Sequence, residues 1–180
     1  MLHIQKKLKL HTLSLEQLEG IIRFCIVEGN VDPTRLRTAL LSFLPDLESS
    51  SKGMLHRIVS DIVDLFDAND NGVLDIPELC AALSILWQSS EYEKVYLIFK
   101  VLDNDGDGNL KYDEMERYLI AFFKACFHFS GKEVSNIVGT LSPEQVADAM
   151  MCKCFEDLNI QRDDTINFEA FAQWYSSVQL

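Results

Sequence analysis

The chain is predicted to be all-α, with four helix-loop-helix units in two paired lobes and short β-bridges between paired loops. Three observations lead there. Apolar residues recur at helical spacing along most of the 180 residues. Two acidic loops of one design follow each other, one beginning at Asp67 and the other at Asp103. The apolar faces that flank these loops are repeated before and after them around loops without the same acidic residues. A composition of 48% apolar and 10% aromatic residues is rich enough to build a sizeable core.

Residues 1–13 place Lys6, Lys7 and Lys9 between Leu2, Ile4, Leu8 and Leu10. They read as a basic amphipathic segment, either a membrane-surface or partner contact or a frayed or packed terminus. Residues 14–48 form the first unit. Ser14 and Gln17 make a capping-box start, and Leu18, Ile21, Ile22 and Cys25 share a helix face that should run to Gly29-Asn30. After Pro33, the residues Leu36, Ala39, Leu40, Phe43, Leu44 and Leu47 line a second face. Pro45 and the serine-rich run to Gly53 mark a connector.

The second unit spans residues 54–89. Leu55, Ile58, Val59, Ile62 and Phe66 lead into its loop, and Asp75 caps an outgoing helix bearing Leu79, Ala82, Leu83 and Leu86. The third, residues 91–126, repeats this with Val95, Ile98, Phe99 and Leu102, then Met115, Tyr118, Leu119 and Phe122. A connector through Gly131 and Gly139 follows Lys124. The fourth unit, residues 142–180, starts at Ser142-Pro143-Glu144, with Ala147, Met150, Cys154, Phe155 and Leu158 incoming and Phe171, Trp174, Tyr175 and Val178 outgoing.

The two acidic loops carry the chemistry. The first offers Asp67, Asn69 and Asn71 at positions 1, 3 and 5, Gly72 at 6, the Val73 carbonyl at 7, Asp75 at 9 and Glu78 at 12. The second offers Asp103, Asp105, Asp107, Gly108, the Asn109 carbonyl and Glu114, with Lys111 at position 9. Ca²⁺ takes six to eight oxygens, so a twelve-residue loop must wrap it with short side chains, turn sharply at a glycine and close with a long carboxylate that binds bidentately. Two Ca²⁺ per chain are therefore expected, with the second loop the tighter because it holds four carboxylates against three. Leu74 and Leu110, at position 8 of each, are expected to form an antiparallel bridge that makes residues 55–126 open cooperatively. The loop from Asn159 to Ala170 puts Asn159, Gln161 and Asp163 at the first three ligand positions. Asp164 stands where the glycine belongs and Ala170 where the glutamate belongs, so this loop is read as silent.

A net charge of -12 and a pI near 4.6 argue against nucleic acid as a partner. No apolar run is long enough to span a bilayer, and Leu2 rules out the Met-Gly start of N-myristoylation. Five cysteines without paired spacing suggest a reducing, cytoplasmic setting. No phosphate-cradling glycine loop, nucleophile elbow or zincin helix is present, so the chain is expected not to be an enzyme.

Both complete loops match the calcium-loop pattern of the EF-hand. The run from Ser14-Leu15-Glu16-Gln17-Leu18 through Asn30-Val31-Asp32-Pro33 to Phe43-Leu44-Pro45 is similar to the metal-free first hand of four-EF-hand calcium sensors, and Ser142-Pro143-Glu144 to the start of their last hand. The chain thus resembles the neuronal calcium sensor and potassium-channel-interacting group, with calaxin-like and calcineurin-B-like proteins close by. It departs from the neuronal branch in lacking an acylated glycine, and from most members in its inactive fourth loop. The resemblance implies a calcium-responsive adaptor that presents an apolar groove to an amphipathic helix of a partner protein. Leu83, Leu86, Trp87, Phe99, Phe122 and Phe123 are candidates for that groove, and ordinary helix packing is their other reading. A constitutively docked subunit of a larger assembly and a calcium buffer are the alternatives.

Overall fold

A computed structural model of the protein describes residues 10–43, 52–130 and 141–178. The described residues form eight α-helices: α1 Leu15–Cys25, α2 Pro33–Phe43, α3 Lys52–Phe66, α4 Ile76–Leu86, α5 Glu91–Leu102, α6 Tyr112–Ser130, α7 Pro143–Leu158 and α8 Phe168–Val178. Five two-residue strands lie in the loops: β1 Ile26–Val27, β2 Asn30–Val31, β3 Leu74–Asp75, β4 Asn109–Leu110 and β5 Ile166–Asn167.

Capping boxes set four of the eight described helix starts. Ser14 accepts from the Gln17 N–H and Gln17 returns the bond to the Ser14 N–H; Asp75 with Glu78 and Ser142 with Gln145 repeat this. Ser90 with Glu93 starts α5 in the same way. Pro77 and Pro143 sit in first turns, where a missing N–H costs no helical bond.

The loops pair in a pattern that corrects one expectation. Val31 lies opposite Leu74 and Leu110 opposite Ile166, so each complete loop pairs with a degenerate one and no Leu74–Leu110 bridge forms. The first unit pairs with the second and the third with the fourth, which leaves the two acidic loops in separate sheets. The first unit also carries a hairpin of its own. Ile26 pairs with Val31 around Glu28 and Gly29, which take φ of 51° and 82°, the left-handed pair that suits a tight two-residue turn. This ends α1 at Cys25 rather than near Gly29-Asn30, and leaves too short a segment before Pro33 to wrap an ion.

Other boundaries shift as well. α3 already includes Lys52 and Gly53, and α6 continues past Lys124 and Cys126 to Ser130. Phe43 lies on the exposed side of α2, at 39% exposure. The Lys6, Lys7 and Lys9 cluster, Leu44 and Leu47, Pro45 and most of its connector, and the connector through Gly131 and Gly139 lie outside the described residues.

One apolar core runs from Leu10 to Tyr175 through all four units. Leu10, in a 3₁₀ turn, and Leu13 are buried, so the end of the N-terminal segment is packed. α6 packs against α3, α4 and α7, and so touches the second, third and fourth units. Inside the core, Ser84 and Tyr118 join their hydroxyls at 3.0 Å. No described helix is long and apolar enough to cross a membrane.

The cysteines are free thiols. Burial pushes Cys25 and Cys154 up to about 12 and Cys126 up to about 11, and Cys80 is also pushed well up. The thiolate is the reactive form. Alkylation of the folded protein near pH 8 is therefore expected to label exposed Cys152 first, with the other four reacting only on unfolding. Mass spectrometry of the labelled peptides reads this order, and early labelling of Cys80 or Cys154 would contradict the packing.

Candidate functional site

The first loop leaves α3 where the Asp67 N–H donates to the Val63 carbonyl at 2.8 Å. Half-buried Asp67 then gathers the turn: one carboxylate oxygen accepts the Asn71 N–H at 3.0 Å and the other the Gly72 N–H at 2.6 Å. Asn71 accepts the Val73 N–H at 3.0 Å. Gly72 sits at φ 83°, a conformation that a Cβ would strain. After β3, Glu78 reaches back across the loop. One of its oxygens accepts the Asp75 N–H at 2.9 Å, and the other accepts the Ala68 N–H at 2.9 Å and the Asn69 side-chain amide at 3.0 Å. Burial pushes the Glu78 carboxyl up, and the nearby charges of Asp75 and Asp67 add to this, while the N–H bonds from Asp75 and Ala68 oppose it. The last ligand position is thus already folded over the first three.

The second loop repeats this architecture. Asp103 accepts the Asp107 and Gly108 N–H groups, both at 3.0 Å, and Asp107 accepts the Asn109 N–H at 2.8 Å. Gly108 sits at φ 80°. Oxygens of Asp103, Asp105 and Asp107 all lie within 4.8 Å of one another. Like charges that close favour a cation among them, and a donor set of carboxylate, amide and carbonyl oxygens suits a hard ion such as Ca²⁺. Half-buried Glu114 accepts the Lys111 N–H at 2.9 Å, the counterpart of the Glu78 bond to Asp75. The Lys111 ammonium reaches in and pairs with Asp105. That hydrogen bond holds the Asp105 carboxyl below its ordinary range and Lys111 above its own.

The residues fit Ca²⁺ at both loops. Asp67, Asn69, Asn71, Val73, Asp75 and Glu78 would hold one ion, and Asp103, Asp105, Asp107, Asn109 and Glu114 the other. When bound, the ion neutralises the carboxylates and fixes the glutamate at the start of the outgoing helix. In the last loop Asn159 ends α7 in the left-handed region at φ 53°, and Asp164, at the glycine position, accepts the Gln161 N–H at 2.7 Å. Asn167 caps α8 through the Ala170 N–H at 2.9 Å, so the final positions serve the fold.

Two contacts were not anticipated from the sequence. Arg117 on α6 donates to Asp75 at 2.6 Å, and Lys124 on the same helix donates to the Ala68 carbonyl at 2.6 Å. Their partners lie in another unit, and no local spacing signals them. The candidate groove residues are mostly core: Leu83, Leu86, Trp87, Phe99 and Phe122 are buried and Phe123 is half-buried. Leu83 and Leu86, with Leu10, Leu18, Ile62 and Leu79, border an apolar cavity of about 50 Å³.

Comparison with known proteins agrees with this geometry. Residues 92–176 match the family described as an EF-hand domain pair. A recoverin family protein of Dictyostelium discoideum is 29% identical over 64% of this chain and 53% of its own length. Guanylyl cyclase-activating protein 3 of Homo sapiens is 27% identical over 63% of this chain and 47% of its own length. A calcineurin subunit of Naegleria gruberi is 29% identical over 68% of this chain and 62% of its own length. The chain spans about half the length of the curated relatives it matches.

The Lys111–Asp105 pair yields a prediction. In Lys111→Ser, Asp105 loses its tethered cation, so Ca²⁺ affinity at the second loop is expected to rise while the first loop changes little. Calorimetry in low and moderate salt would check this, and the gain should shrink as salt screens the pair.

Proposed function

We propose that this calcium-binding EF-hand protein is a sensor that takes up two Ca²⁺, one at Asp67–Glu78 and one at Asp103–Glu114, and signals by exposing apolar surface to a partner helix. The observation that carries this is the matched hydrogen bonding of the two loops, in which the position-1 aspartate of each already organises the turn around the ligand oxygens. The second loop is the tighter site in this reading, because three mutually close aspartates and Glu114 outweigh the charge of Lys111. The first loop has fewer carboxylates, and one of them, Asp75, is engaged by Arg117.

The response follows from where the glutamates sit. Glu78 and Glu114 lie in the first turns of α4 and α6, so drawing them onto an ion moves each outgoing helix against its incoming partner. In sensor hands this motion opens the helix pair, whereas in buffers it is slight. Among the described residues, the indole N–H groups of Trp87 and Trp174 are buried with no protein hydrogen-bond partner, so a motion that exposed them would let water satisfy them. Leu83 and Leu86, at the apolar cavity of the first half, and Trp87 beside them would become the docking surface for an amphipathic helix with anchors at i, i+3, i+4 and i+7. The names of two relatives support a role exerted on another protein, one being a cyclase-activating protein and the other a subunit.

Calorimetry on the calcium-free protein should give two sites, and Glu78→Gln and Glu114→Gln should each abolish or strongly weaken one. Binding of a hydrophobic dye should rise with calcium and lose that rise in the double variant. If both sites fill while dye binding stays flat, a buffer or a permanently docked subunit replaces the sensor, and pull-downs in calcium and in chelator separate those two. Three sites, with one lost on mutating Asp163, would overturn the silent fourth loop.

A further inference from the structure

The two acidic loops belong to different sheets, so no backbone ladder joins them, yet one helix touches both. α6 begins within the second loop, whose closing Glu114 lies in its first turn, and it packs along the second unit. From it, Arg117 donates to Asp75 at 2.6 Å and Lys124 to the Ala68 carbonyl at 2.6 Å, both partners lying in the first loop. Lys124 also faces Glu144 at the start of α7, at 3.2 Å. A cleft of about 190 Å³ is lined by Asp75, Pro77, Asn104, Glu114 and Arg117. The closing glutamate of one loop and the position-9 aspartate of the other therefore border one space, and the Arg117 guanidinium in that space contacts the aspartate.

We propose that Arg117 couples the two sites by competing with Ca²⁺ for Asp75 until occupation of the second loop repositions α6. This rests on the two-site reading above. Asp75 is mostly shielded, with a side chain 14% exposed, whereas Arg117 is 58% exposed, so the pair is stronger than a free surface pair but still breakable. While it holds, one of the three carboxylates of the first loop is neutralised. Glu114 and Arg117 are three residues apart on one helix and so lie on neighbouring faces of a single rigid turn. A shift of Glu114 toward its own ion is therefore passed to Arg117 without an intervening joint, and it frees Asp75. The coupling is positive, and it must act equally in both directions because it is a property of binding free energies.

The test compares the full chain with Glu114→Gln, Arg117→Gln and the double variant, titrating Ca²⁺ and following the amide signals of Gly72 and Gly108, which report the two loops separately. Glu114→Gln is expected to weaken the first site by about two- to five-fold, the factor of a partly shielded ion pair. Arg117→Gln alone should tighten the first site by a similar factor, and in the double variant the first site should no longer weaken. Arg117→Lys, which keeps the charge, should retain part of the coupling. The proposal is overturned if Glu114→Gln weakens the first site equally with and without Arg117, or if Arg117→Gln leaves that site unchanged. A Gly72 signal that ignores Ca²⁺ in the unaltered chain would instead remove the first site itself, and this inference with it.

Discussion

The carboxylate at the first position of each acidic loop is what the rest of the site depends on. Asp67 ties down the amides of Asn71 and Gly72, and Asp103 those of Asp107 and Gly108. These bonds bend the chain so that the short side chains at positions 1, 3 and 5 face one point, and they require a left-handed residue at the turn, which Gly72 and Gly108 supply. An aspartate here is long enough to accept two amides and short enough to keep its charge at the centre of the loop. Glutamate would carry that charge past the centre, and asparagine would hold the turn with less attraction for a cation. The turn chemistry and the metal chemistry are therefore the same residue's work, and loop shape does not have to wait for an ion.

The loops without ligands show what remains when that residue is absent. The first unit replaces the wrap with a hairpin at Glu28-Gly29, and the fourth relies on Asn159, Asp164 and Asn167 for local turns and caps. Both still deliver a strand to a complete neighbour, Val31 to Leu74 and Ile166 to Leu110. All four of these side chains are buried, so each pair is also an apolar contact under its loop. A degenerate unit thus contributes a fixed wall against which its partner can close. Were two complete loops paired directly, their dications would face each other across one ladder. Here the two complete loops lie in separate sheets.

Most of the fold was legible from the sequence because helix periodicity and capping are local. Ser14-Gln17, Asp75-Glu78 and Ser142-Pro143 announce helix starts that the structure has, and the S-x-x-E of Ser90 and Glu93 carries the same signal. The candidate ligand positions could be proposed from the sequence for a related reason, since a loop that wraps an ion must contain all its ligands within twelve residues. What failed was pairing. Position 8 shows that a loop will bridge, but not to which loop, because that choice is made by the packing of helices far apart in sequence. The groove meets the same limit: Phe99 and Phe122 are apolar residues on helix faces, and only the packed core decides that those faces point inward in this arrangement. The end of α1 at Cys25 was missed because Ile26 and Val27 suit strand as well as helix, and the Glu28-Gly29 turn settles the matter.

The polar contacts that α6 makes with the first loop bring these points together. Arg117 and Lys124 sit seven residues apart, two turns along one face of a helix, and they bind the two ends of one loop: Asp75 near its close and Ala68 near its start. A helix fastened to a loop at both ends can shift only by straining or breaking one of those bonds. The same helix carries Glu114, so any preference of the second loop for one position of α6 is also a preference about the first loop. The same Lys124 also pairs with Glu144 at the start of α7, which leads into the fourth unit. The arrangement divides the labour between two kinds of contact. The degenerate loops stabilise the complete ones through strand pairs, while communication between the complete loops runs through side chains on a helix, where a single charge is enough to alter it.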